Sequence, residues 1–468
     1  MQTTSVREPE HPPVRLDLNR PEHTDGDEPR LGDDAGRSGP ERCKGKVPSL
    51  STTAVPSRTR LALLLGGLIA LGPLTIDMYL PALPGIAGEF AASASTIQLT
   101  LTGTLVGLAA GQLFIGPLAD AVGRRTPLLI GTTLHIVSSL LIMVAPNIAV
   151  FGALRVLQGV GGAAGAVVAM AVVRDLFTGR PAATLLSRLM LVMGAAPVLA
   201  PTLGGELLRF ADWRGVFAFL ALYGAAILAL LAFALPETLP AERRRPARIG
   251  ATLVSYGTLF KDRTFVGLIL MAGFAMAGMF GYVSGSSFVF QEQFGLDAQQ
   301  FGLLFGAGAI FLIGATQGNA ALLRYFEPKQ ILLVASIAGT VSGAVLAALA
   351  ATGVGGLVGV VAPLWAVLAA VGFMLPNAPA LALSRHGERA GTAAALLGAV
   401  QFGVGALTSP VVGLLGNDAL AMGLTIAGAQ VLALAVLVVV VRPWTLADLE
   451  EPTPVPGKAA AEAVVEAA

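Results

Sequence analysis

Between Leu61 and Val441 the sequence is a succession of apolar segments, each long enough to cross a lipid bilayer and separated only by short polar turns. They fall near 61–83, 96–117, 127–146, 149–173, 187–208, 214–235, 264–287, 299–323, 328–350, 353–380, 390–414 and 418–441. A hydrocarbon core of about 30 Å needs roughly 20 helical residues per crossing, so this spacing predicts twelve transmembrane helices. Charged residues make up 13% of the 468-residue chain and apolar ones 54%, against about 25% charged in an ordinary soluble domain. The expected fold class is an all-α integral membrane protein.

The flanks differ in kind. Residues 1–60 are rich in Pro, Arg, Asp and Glu, with no short apolar core of a secretory signal, and are expected to be a disordered cytoplasmic tail. Residues 442–468 carry Pro452, Pro454 and Pro456, which forbid a further span. With the N-terminus placed inside, 27 of the 30 Lys and Arg residues fall on the inner side, leaving Arg155, Arg209 and Arg214 in or near the outer half. The positive-inside rule therefore predicts that both termini are cytoplasmic, in a cell membrane.

The longest internal polar stretch, 236–263, contains Arg243, Arg244 and Arg245 and divides the spans into halves at 61–235 and 264–441. The halves resemble one another in pattern. "GEFAASASTIQLTLTGTLVGLAAGQ" in the first and "EQFGLDAQQFGLLFGAGAIFLIGATQ" in the second both pass from an acidic, Phe-bearing loop into a Gly/Ala-rich span ending in Gln. Paired six-helix repeats imply a substrate path between them that opens alternately to each side, which is the design of a secondary transporter. No phosphate-binding loop is present and one cysteine excludes a disulfide framework, so neither bound ATP, a cofactor nor a metal site is expected, and the chain is not expected to be an enzyme. The partners expected are the bilayer and a small solute, not nucleic acid, with the chain acting as a monomer.

Three clusters carry the chemistry. The loop after the second span, "GPLADAVGRRTP", sets Gly116, Asp120, Gly123, Arg124 and Arg125 in a tight turn where an acid at a helix end meets paired arginines, a cluster able to lock one of two conformations. In the fourth span, "RVLQGVGGAAG" places Arg155, Gln158 and Gly162 on one helical face. A buried arginine costs about 2.5–3.5 kcal/mol on insertion scales and needs a partner or a wet cavity. In the first span, "LTIDMYLPALPG" holds Asp77, at a depth about 6 Å from the outer edge of the core by helical rise; Arg155 lies about 9 Å from the same edge. Acid and arginine at matching depth are expected to form a conditional ion pair, the toggle a proton site needs. The fifth span, "GAAPVLAPTLGGEL", combines Pro197 and Pro201 with Gly194, Gly204 and Gly205, which predicts a kinked, closely packed hinge.

These stretches, with "VRDLF", "WRGVF", "LPETL", "SGSSFVFQEQFGL" and "LPNAPALAL", resemble the twelve-span drug:proton antiporters of the major facilitator superfamily, specifically the bicyclomycin and chloramphenicol resistance family, over about Leu61 to Trp444. The resemblance implies export of amphipathic small molecules, phenicol-like or bicyclomycin-like, coupled to proton entry. It also implies Asp77 as the acid and Arg155 as the arginine of proton coupling. The alternative is a proton-coupled exporter or uptake symporter of an endogenous metabolite. Tyr79, Gln158, Met279, Tyr282, Asn377 and Gln401 are candidate substrate contacts. A lone His135 in the third span is expected to be hydrogen-bonded inside the bundle, and Glu206 to face water.

Overall fold

The computed structural model describes residues 58–177, 179–244, 249–386 and 389–446, all in one compact unit. Apart from residues 58–60 and 442–446, the expected tails lie outside the described residues, as do Arg245 and Arg248 of the linker. Twelve helices are long and apolar enough to cross a membrane, as the hydropathy pattern predicts, and the chain is a multi-pass membrane protein. The first span is α1 (Arg58–Asp77), a 3-10 turn (Leu80–Ala82) and α2 (Leu83–Glu89). Spans two to six are α3 (Ala94–Val122), α4 (Arg125–Ile142), α5 (Ile148–Leu176), α6 (Gly179–Leu207) and α7 (Trp213–Ala234). After the linker helix α8 (Ile249–Leu259) come α9 (Arg263–Phe288), α10 (Ala298–Leu322), α11 (Pro328–Thr352) and α12 (Gly356–Ser384). The eleventh span is α13 (Ala390–Thr408) with α14 (Val411–Leu415), and the twelfth is α15 (Ala419–Val436). An even number of crossings puts both ends of the described chain at one face, the terminal face; the opposite one is the far face.

Two details depart from the sequence expectation. The first span was expected to run unbroken over 61–83, but the α-helix stops at Asp77. Pro81 has no N–H to offer the Asp77 carbonyl and its ring crowds that carbonyl, so the chain changes to a 3-10 turn before α2 starts with Pro84 in its first turn. The linker 236–263, expected to be a polar connection, contains the helix α8, whose Tyr256 hydroxyl donates to Leu113 O of α3 at 3.3 Å.

In the first half, α5 packs on α1, α3 and α4, and α7 packs on α4; in the second, α9 lies among α12, α13 and α15, with α11 between α12 and α15. The halves meet along two helix pairs, α3 with α13 and α6 with α10. Small residues allow the closest approach. A Cβ on Gly107 would strike the Val156 backbone of α5, and one on Gly159 the Thr104 backbone of α3, so only glycine fits at that crossing.

Candidate functional site

Asp77 ends α1 at the break, and is 6% exposed. Among the described residues its carboxylate takes no hydrogen bond and no ion pair. Tyr282 of α9, from the other half, lies within electrostatic range of it. That phenol stacks on Phe305 of α10, with ring centroids 4.8 Å apart. A carboxyl that is nearly buried and unpartnered is costly to keep charged, and is accommodated by pairing or by protonation.

Arg155 is fully buried within the first half. Its Nη1 donates to Gln158 Oε1 and its Nη2 to Thr75 O at 3.1 Å. The Thr75 carbonyl is free because the α-helix ends two residues later. The guanidinium lies 4.0 Å from the Tyr79 ring centroid and 5.7 Å from that of Phe217 on α7. All these partners are neutral. Its Nε finds no hydrogen-bond partner, nor does the Tyr79 hydroxyl, and both are buried. Arg155 therefore retains a donor that the surrounding neutral groups leave unused.

A polar ring closes behind it. Gln158 Nε2 donates to Ser139 Oγ at 2.8 Å, and Ser139 Oγ donates to His135 O at 2.7 Å. Thr75 Oγ1 donates to Leu71 O at 2.6 Å, so its 2.8 Å contact with His135 Nε2 requires the imidazole to donate there. His135 is thus a hydrogen-bonded bundle residue, as expected, and Nδ1 is left without a partner.

At the terminal face, Arg124 Nε donates to Asp175 at 2.8 Å and its Nη1 to Asp120. Burial works against the Arg124 charge, but the bonds to Asp175 and Asp120 hold its guanidinium above the ordinary value. Gly123, at φ +100°, lets the chain turn into α4. Glu237 then caps the start of that helix, accepting from Arg124 N–H at 2.7 Å and Arg125 N–H at 3.2 Å. Arg125 Nη2 donates to Ala232 O at 2.6 Å. The cluster is one network that joins the ends of α3 and α5, the start of α4 and the beginning of the linker.

In the fifth span, Gly204 approaches Met78 of the break, Gly205 approaches Ala298, Pro201 approaches Gly302, and Gly194 approaches Ile313. The expected close packing is present, and it joins the halves. The helix α6 is continuous over its 29 residues through Pro197 and Pro201.

The candidate substrate contacts differ in exposure in this conformation. Tyr79 and Gln158 are fully buried around Arg155, and Asn377, 1% exposed, donates to Asn319 Oδ1 at 2.7 Å. Tyr282 is 3% exposed, whereas Met279 and Gln401 are half-buried. Glu206 is exposed and receives a bond from Arg209 at 3.1 Å.

The sequence reading did not assign Thr75, Ser139, Asp175 or Glu237, nor a set of ties between the halves. Gln98 of α3, fully buried, donates to Ser284 O at 3.2 Å and Asn417 Oδ1 at 2.8 Å, and accepts from Gly413 N–H at 2.8 Å. Thr102 donates to Ala406 O at 3.1 Å and Thr202 to Gly302 O at 3.2 Å. These ties gather towards the far face. "VRDLF" and "LPETL" held the only sequence signal for Asp175 and Glu237, an acid at a span end beside a basic loop.

Comparison with known proteins agrees with this architecture. The family model described as Major Facilitator Superfamily matches residues 64–410. The "Uncharacterized MFS-type transporter YdgK" of Bacillus subtilis is 42% identical over 368 residues, 78% of this chain and 91% of that protein. The "Bicyclomycin resistance protein homolog" of Haemophilus influenzae is 33% identical over 79% of this chain and 92% of its own. Among solved structures, a D-xylose-proton symporter superposes with a TM-score of 0.64 at 16% identity, covering 80% of this chain and 96% of that one, a likeness of fold alone.

Proposed function

The chain belongs to the Major Facilitator Superfamily, and from that premise we propose that it exports amphipathic small molecules of the phenicol or bicyclomycin type in exchange for protons, by alternating access. The observation that carries this reading is the pairing of unmet needs at the first-span break. Among the described residues the Asp77 carboxylate makes no hydrogen bond or ion pair, and Arg155 Nε and Tyr79 Oη are buried donors without a partner. The kinship with a bicyclomycin resistance homolog supports the substrate class.

With the terminal face cytoplasmic and the protein in the cell membrane, the cycle follows from electrostatics. When the far side is open, Asp77 takes a proton and becomes a neutral acid that can be buried without a counter-charge. The halves then close at the far face, a step that the Gln98, Thr102 and Thr202 bonds between them support, and open towards the cytoplasm. Entering drug displaces the proton, and the resulting carboxylate is held by Arg155, whose present partners are neutral and exchangeable. A proton crossing 100 mV supplies about 2.3 kcal/mol and each tenfold solute gradient takes about 1.4 kcal/mol, so one proton per neutral drug sustains roughly a fortyfold gradient.

The test is proton-driven accumulation of chloramphenicol and bicyclomycin in inside-out vesicles. Wild-type chain should concentrate drug when a proton gradient is imposed, and Asp77→Asn at equal abundance should not. Uphill accumulation by the Asp77→Asn variant would remove Asp77 from the account.

A further inference from the structure

Two residues, Ser287 of α9 and Gln291 of the turn that follows it, grip the chain just beyond Asp77, and the proton cycle described above does not use them. Pro84 cannot give the N–H that an α-helix would direct at Leu80 O. That carbonyl is shared instead between Leu83 N–H, in the 3-10 turn, and Ser287 Oγ, which donates to it at 2.6 Å. The next carbonyl, Pro81 O, precedes α2 and accepts from Gln291 Nε2 at 3.2 Å. The same Nε2 donates to Ser287 Oγ at 2.8 Å. Ser287 thus accepts from Gln291 while donating to Leu80, a chain in which each bond polarises the next.

The placement of these bonds matters. Leu80, Pro81 and Ser287 are buried, so on release from Ser287 and Gln291 the Pro81 carbonyl would lose its donor unless water entered, and the Leu80 carbonyl would keep only Leu83 N–H. Ser287 and Gln291 are one turn apart on one face, and Gln291 lies in a π-helical turn, Val289–Gln293, that widens the end of α9 towards the break. Gln293 Oε1 of the same turn accepts from Ala419 N–H at 2.8 Å, which anchors the turn to the start of α15. One end of the grip is therefore fixed in the second half, and the other holds first-half backbone three and four residues after Asp77.

We propose that Ser287 and Gln291 are positioning residues, a latch that closes the far face by holding the proline-freed carbonyls of the first span, and that releases when the break moves with the charge state of Asp77. This role rests on the proton-coupling reading for its trigger, but the latch itself stands on the bonds above. Opening the far face must separate α9 from the break, and the two side chains are what would have to let go. Because both acceptors are backbone, the latch is set by the prolines and not by any side chain of the first span.

Labelling of a far-face cysteine tests it. In full-length chain with Cys43→Ser, Ile86→Cys is placed on α2, where Ile86 is buried. A membrane-impermeant maleimide is applied from the far side of whole cells, with Phe210→Cys, on the exposed far loop, as the reference for thiol reactivity at each pH. With the latch intact, the normalised rate should be low and should fall as pH falls. Ser287→Ala and Gln291→Leu should each raise it at least fivefold and flatten its pH dependence, while Ser287→Thr, which keeps the hydroxyl, should behave as the parent. Rates unchanged in both latch variants, or a rise that Ser287→Thr shares, would overturn the proposal. Asp77→Asn in the parent separates the two ideas. If it leaves the pH dependence intact, the proton trigger fails, whereas the latch is judged by the Ser287 and Gln291 variants alone.

Discussion

Each half of the molecule buries a polar cluster deep among its helices, but the clusters differ in charge. In the first half the cluster is built around Arg155, with Gln158, Ser139, His135 and the Thr75 carbonyl as its partners and Asp77 at the adjoining break. In the second half the buried polar groups are amides and hydroxyls. Asn377 pairs with Asn319, and Gln430 lies fully buried against Gly278 and Gly339 with neither amide atom hydrogen-bonded. A neutral amide keeps the same hydrogen-bonding capacity at every working pH. A carboxyl does not. On the proposed reading, the same six-helix fold occurs twice while only the first copy carries the groups that proton coupling needs.

The comparison breaks first at Arg155. Arg155→Ala should abolish uphill drug accumulation, a loss of at least about a hundredfold, or ~2.7 kcal/mol. Arg155→Lys should restore little, since a point ammonium cannot replace a fork that bonds Gln158 and Thr75 together. Full transport in the lysine variant would mean that only charge is needed there. Next comes the terminal face, where Asp120→Asn should slow turnover by about tenfold, ~1.4 kcal/mol on the switching step, with drug affinity kept. Weaker drug binding with normal turnover would count against a gating role for that loop.

In the second half the expected effects are on stability. Asn377→Ala leaves Asn319 Oδ1 buried without its donor and should lower unfolding stability by about 1–3 kcal/mol, seen as a fall in Tm, while the KM for drug stays within twofold. A raised KM at unchanged Tm would return Asn377 to the substrate path. Gln430→Leu should be neutral or raise Tm by up to the equivalent of ~1 kcal/mol, because it removes an amide that makes no bond.

The smallest effect sharpens the contrast by placing the second half's titratable cluster at the surface. Asp262 caps α9, accepting from Thr264 and Phe265 N–H, and pairs with Arg385 at 3.0 Å and His386 at 3.2 Å. Partial burial opposes its charge, yet the Arg385 bond and these caps hold its carboxyl below the usual range. A depressed folded value means that the stabilisation is complete above the unfolded value, near 3.9, and disappears as pH falls through the lower folded one. For so exposed a pair it should amount to about 0.5 kcal/mol. Asp262→Asn should lower Tm slightly at pH 7 and not at all at pH 2, with transport unaffected.

How much of this was legible in the sequence follows from what sets each feature. Span number and the Arg155–Gln158 bond are local matters of hydropathy and helical spacing, and the matching depths of Asp77 and Arg155 come from helical rise alone. Lateral placement is not local. Nothing in "TIDMYLPALP" says that Tyr79 turns into the first half under Arg155 or that the first α-helix ends at Asp77. The break at Asp77 was implicit in Pro81 and Pro84, but helices tolerate proline when neighbours satisfy the freed carbonyls, and those neighbours, Ser287 and Gln291, lie two hundred residues away. The motif loop shows the same limit. Asp120 and Arg124 are four residues apart and readable as a pair, whereas Asp175 and Glu237 join them only through the fold.

The central claim is that one carboxyl, Asp77, holds a proton that substrate displaces. Adding saturating chloramphenicol to purified full-length chain in a weakly buffered solution with a pH indicator measures this directly. The account predicts release of close to one proton per drug bound by wild type and none by Asp77→Asn. Release of the same size from the Asp77→Asn variant would contradict it.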